Sequence, residues 1–192
     1  AFIERKQPFA VYRIPGEKIP CLVTQEEGAV RLIYDLQELN GQRGFVIAPF
    51  RPNETCPILL IQSNGPGQPL LLADDADAVP RDIPSTDYPS CSEEYAECFR
   101  TFISALRDKT FEKLVLSRKL TIGKPTAFSP SLAFRAACQR YIHSYIYLCY
   151  TPQTGIWLGS TPEIILSGEK DDWHTVALAG TQPLQDGELP QV

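Results

Sequence analysis

A lysine at the head of an apolar run and a glutamate just past a proline turn are the side chains best suited to move protons. Lys113 opens the stretch Leu114-Val115-Leu116-Ser117-Arg118. A lysine there either snorkels to the surface at a strand end or is partly desolvated by the sheet. In the second case its pKa falls and it can accept a proton near neutrality. Glu163 follows Leu158-Gly159-Ser160-Thr161-Pro162, a small-residue turn joining two apolar stretches. A glutamate there is either solvated at a strand edge or held dry between Pro162 and Ile164, with a raised pKa that lets it donate a proton. A third stretch, Ala177-Leu178-Ala179-Gly180-Thr181, runs a strand into a turn. Gly180 lets backbone approach a ligand closely and Thr181 offers a hydroxyl. Such turns are common.

The elements that must position these residues can be read from punctuation and period. Residues 8–73 break into short β-branched and aromatic runs at 9–14, 19–24, 45–50, 58–61 and 70–72, separated by Gly, Pro and Asn. That pattern predicts strands. Residues 74–91, with five aspartates and three prolines, read as a surface connection. A Ca²⁺ loop is the alternative there, but the spacing lacks the EF-hand glycine and terminal glutamate. A helix is expected over 92–109, with Ser92 as N-cap, Glu93 and Glu94 in the first turn, and an apolar stripe through Tyr95, Phe99, Phe102 and Leu106. The stripe suits a core face better than a docking face. A strand follows over 114–122. Ser129-Pro130 then opens a second helix to about Arg140. Strands are expected again over 145–150, 155–159, 163–167 and 174–178. Strands and helices without regular alternation predict an α+β fold of antiparallel sheet layers flanked by helices.

Bulk properties narrow the function classes. The chain has 192 residues, 43% hydrophobic and 21% charged, enough apolar material for a sizeable core. Its net charge of −5 comes from interspersed residues, with no basic run of the kind that binds nucleic acid. The longest apolar stretch, 145–150, is far short of the roughly 20 residues that cross a bilayer. Six cysteines without a CxxC pair, and only two histidines, argue against zinc and for buried free thiols in a reducing cytoplasm.

In their order and spacing, Lys-Leu-Val-Leu-Ser-Arg, Leu-Gly-Ser-Thr-Pro-Glu and Ala-Leu-Ala-Gly-Thr resemble the chorismate-utilising enzymes. These comprise isochorismate and salicylate synthases and the large subunits of anthranilate and aminodeoxychorismate synthases. The resemblance covers about residues 92–182; residues 1–91 fit as the variable amino-terminal β-rich segment. It implies Lys113 as general base, Glu163 as general acid, and Ala179, Gly180 and Thr181 against the substrate. Water-using members carry a lysine at the position of Lys113. Many aminodeoxychorismate synthases place a nucleophilic lysine where this chain has Ala179. The combination implies an isochorismate synthase that needs no glutaminase subunit. Salicylate synthase shares both catalytic residues. A reading of a different class is a non-catalytic binding module on the same fold, in which Lys113→Ala changes nothing.

The resemblance also implies Mg²⁺ on the substrate's ring carboxylate, with its glutamate ligands and a carboxylate-binding arginine well downstream of Thr181. The chain ends at Val192, about eleven residues on, and contains no methionine. Glu188 lies too near the turn to be a ligand, so no metal ligand is expected among these residues. The expectation is of an incomplete chain, inactive by itself. Gln182 replaces an arginine found in many relatives, which leaves the subfamily open.

Overall fold

The computed structural model describes residues 2–25, 29–63, 65–71, 93–117, 119, 121–124, 126 and 128–176. It divides into two compact units, Ala1–Val79 with Ser129–Val192, and Pro80–Phe128. The secondary structure is mixed, with antiparallel sheets and two α-helices among the described residues, as the α+β expectation had it. None of its described helices is long and apolar enough to cross a membrane.

In the first unit, strands β1 (Phe9–Arg13), β2 (Cys21–Thr24), β3 (Arg31–Ile33), β4 (Gly44–Ile47), β5 (Ile58–Gln62) and β6 (Gln68–Pro69) come first along the chain. After α2 (Pro130–Arg140; α1 belongs to the second unit), it continues with β7 (Tyr145–Thr151), β8 (Gly155–Thr161) and the hairpin β9 (Ser167–Glu169) and β10 (Asp172–His174). Five strands form one antiparallel sheet in the order β6-β2-β1-β7-β8, and three form another in the order β3-β5-β4.

Strand β1 is buried on both faces. Phe9 and Val11 pack with Ile146, Leu148 and Phe134 of α2, whereas Ala10 meets Val23, Ile61 and Cys149 between the two sheets. A strand covered on both sides has no use for polar alternation, and Phe-Ala-Val-Tyr shows none. Its last residue, Arg13, is 3% exposed. Nη1 donates to the carbonyls of Ile14, Glu17 and Ile142, and Nη2 to those of Tyr141 and Ser144, at 2.6–3.3 Å. One guanidinium thereby ties the β1–β2 turn to the α2–β7 turn.

Helix α2 begins as the sequence expects: the Ser129 hydroxyl accepts from Leu132 N–H and Pro130 occupies the first turn. Other expectations shift. Strand β3 was not foreseen; three residues that open on an arginine give little signal, and β5 supplies the ladder that holds them. The strand expected at 70–72 forms two residues earlier, as β6 against β2; Leu72 lies outside the described residues. Strand β8 is the outermost of the five-stranded sheet. Its Ile156, Trp157 and Leu158 are 44%, 54% and 42% exposed.

The second unit contains α1 (Glu93–Arg107). The helix is amphipathic, but none of its residues is buried. The core placement expected for its stripe is not found. Ser92, the expected N-cap, lies outside the described residues, as does the 74–91 connection.

Candidate active site

Lys113 is reached from the C-terminal end of α1. Lys109, with φ 55°, turns the chain out of the helix. Thr110 N–H donates to Ala105 O at 3.0 Å and Lys109 N–H to Leu106 O at 3.1 Å. This bond pair is a Schellman closure, which caps the last carbonyls and sets the exit direction. Lys113 is exposed, and beyond it Leu114 and Leu116 are half-buried while Val115 points outward. The alternation is that of an extended segment, yet no strand forms among the described residues of 114–122. The strand expected there is corrected: alternation says which side chains share a face, whereas a strand also needs a neighbour for its backbone bonds.

Strand β8 delivers Glu163. Its register with β7 runs from Thr151↔Gly155 to Tyr145↔Thr161, and Pro162 follows. Pro162 has no N–H to continue the ladder. Glu163 N–H donates to Thr161 Oγ1 at 3.3 Å, and that hydroxyl donates to Glu163 O at 3.4 Å. Thr161 thus fixes the backbone of Glu163, whose side chain is exposed.

The strand expected at 163–167 begins only at Ser167. Ahead of it, Val176 N–H donates to Ile164 O at 3.1 Å and Thr175 Oγ1 to Ile165 O at 2.8 Å. A hydroxyl takes a place that a backbone N–H fills in a regular ladder. The β9–β10 hairpin therefore returns the chain to the residue following Glu163. Ala179, Gly180 and Thr181 lie outside the described residues.

Lys113 and Glu163 belong to different compact units. A family model described as chorismate binding enzyme matches residues 73–189, more than half of the chain. The chain belongs to the chorismate-binding enzyme family. The matched span contains Lys113, Glu163 and all of 179–181. No curated protein and no solved structure matches the chain.

Chorismate is a dicarboxylate, so a chorismate-binding enzyme must meet negative charge. Among the described residues, no group of three or more His, Cys, Asp or Glu could hold a metal ion.

A cleft of about 700 Å³ in the first unit contains neither Lys113 nor Glu163. Arg13, Lys18, Arg135 and His143 line it, with Glu17 as the acidic contribution. Cys138 also reaches the cleft; burial raises its thiol pKa, and the nearby Arg13 guanidinium opposes that rise. Arg13 Nε has no hydrogen-bond partner among the described residues. Arg13 was missed in the sequence, where its only signal is an arginine ending an otherwise apolar strand.

Proposed function

We propose that the protein converts chorismate to isochorismate. The observation that carries this reading is Lys113 together with Ala179 inside one chorismate-binding enzyme match. By the family resemblance, a lysine at the first position activates water, and an alanine at the second removes the lysine nucleophile of aminodeoxychorismate synthases. The fold in this reading is that of the chorismate-binding enzymes, with Ala179, Gly180 and Thr181 against the substrate.

In the proposed reaction, Lys113 Nζ takes a proton from water as the water oxygen bonds to C2 of chorismate. The ring double bonds shift, the C4–O bond breaks, and the Glu163 carboxyl gives its proton to the departing hydroxyl. One water enters and one leaves, so the net change is an isomerisation. Lys113 then returns its proton to solvent and Glu163 regains one. Base and acid are both needed because hydroxide is scarce at pH 7 and a poor leaving group. Each contributes about 10²–10⁴-fold. Mg²⁺ belongs to the proposal only as counter-charge for the ring carboxylate, and no step above runs through it.

The test is product analysis with the protein as its gene encodes it, given chorismate and neither ammonium nor a glutaminase. Isochorismate should form, and Lys113→Ala or Glu163→Gln should each lower kcat by about 10²–10⁴-fold. Ammonia-dependent anthranilate or aminodeoxychorismate would overturn the reading. Salicylate with pyruvate would move the product one step further along the same residues. Unchanged behaviour of Lys113→Ala would favour a binding module.

A further inference from the structure

Gly159 stands directly opposite Tyr147 in the β7–β8 register, four residues before Glu163. A methyl group on Gly159 would overlap Cε1, Cζ and Oη of the Tyr147 ring. Gly159 is not among the positive-φ glycines, so its backbone would accept any L-residue. The steric reason for glycine is the ring lying across it.

Two aromatic neighbours flank that ring. Phe45 lies 6.1 Å from Tyr147, centroid to centroid, and Tyr145 lies 6.4 Å away. Both also pack against Tyr12, at 6.1 Å and 5.7 Å respectively. An aromatic ring laid over a cross-strand glycine covers bare backbone and sets the spacing of the two strands. Tyr145, two residues earlier on β7, is the register partner of Thr161, whose hydroxyl holds the Glu163 backbone. The aromatic cluster therefore meets β8 at the last two positions of that face before Glu163.

We infer that Tyr147 is a positioning residue, acting through Gly159 and the end of β8 to fix where Glu163 stands. This rests on the reading of Glu163 as the proton donor. A side chain at 159 must push the ring against Phe45 and Tyr145 or lift β8 away, and the second moves the strand whose last residue, Thr161, holds the Glu163 backbone. Displacement of a reacting group by about 1 Å costs on the order of 10²-fold in rate.

The experiment is a double-mutant cycle in chorismate turnover, with kcat and KM measured separately. Gly159→Ala should lower kcat by about 10–100-fold while KM changes less than about threefold, because a proton donor is displaced and not a substrate contact. Combining Gly159→Ala with Tyr147→Ala should recover at least about fivefold of that loss, since the methyl group then occupies the ring's space. Tyr147→Ala alone, which uncovers Gly159, should lower kcat by about three- to tenfold, and Tyr147→Phe should lose less. These single variants keep the test open if Gly159→Ala does not fold.

An active wild type in which Gly159→Ala keeps kcat within twofold would overturn the inference. So would a double variant no better than Gly159→Ala, which would mean that substrate needs the space at 159. A wild type that makes no isochorismate would refute the proposed reaction itself, and the positioning role with it.

Discussion

Cys149 is 1% exposed between the two sheets, and burial pushes its thiol up to about 11. An unfolded chain releases that proton near the ordinary thiol value of about 8.5. Between there and about 11 the unfolded state has lost a proton that the folded state keeps. Stability is thus fully present below the window and declines through it as pH rises, by up to about 1.4 kcal/mol per pH unit. Melting temperatures from pH 8 to 10.5 should fall, and Cys149→Ala should flatten the fall; identical slopes would contradict this account. Burial raises Tyr145 as well, so a residual decline at the alkaline end is expected in the variant. Thiol burial was legible at Cys149, which sits in an apolar run, whereas Cys56 and Cys98 are exposed, against the expectation of buried thiols. Lys113 and Glu163 were picked out as candidates because proton-transfer chemistry limits the residue types, and both fall inside the family match. Gly159 was seen only as part of a turn, since its reason is a ring on another strand.

Among the elements, the strands that form the core announce themselves by composition, and the marginal ones do not. β1, β5 and β7 read as apolar runs because both their faces are covered, whereas β3 exists through its partner. The opposite error occurred at 114–122, where an apolar run was present and no strand forms among the described residues. Helix α2 was legible down to its cap, because Ser-Pro is a local signal that needs no tertiary help. The tie between β1 and the α2–β7 turn was not legible, because it joins residues about 130 positions apart. Arg13→Met should destabilise the protein by about 1–3 kcal/mol, chiefly by stranding the Ser144 carbonyl, whose bond to the guanidinium is buried. Arg13→Lys should not rescue it, because an ammonium lacks the planar fork that serves two turns at once. Denaturant midpoints of the two variants check this, and a lysine variant as stable as the parent would show that charge alone suffices.

For the whole molecule, family membership is the firmest result, since the match runs over residues 73–189 and takes in both candidate proton carriers. It was legible in three short motifs because a reaction constrains its own residues more tightly than a fold constrains its surface. The exposed outer strand of the five-stranded sheet has a different consequence. Gly-Ile-Trp-Leu-Gly-Ser-Thr contains neither charge nor proline, and its far edge meets no other strand among the described residues. Such an edge is a template for a second molecule. Concentrated protein should therefore seed thioflavin-binding aggregates through this segment. A gatekeeper charge, Leu158→Lys, should delay their onset, and an unaltered lag time would place the nucleating segment elsewhere.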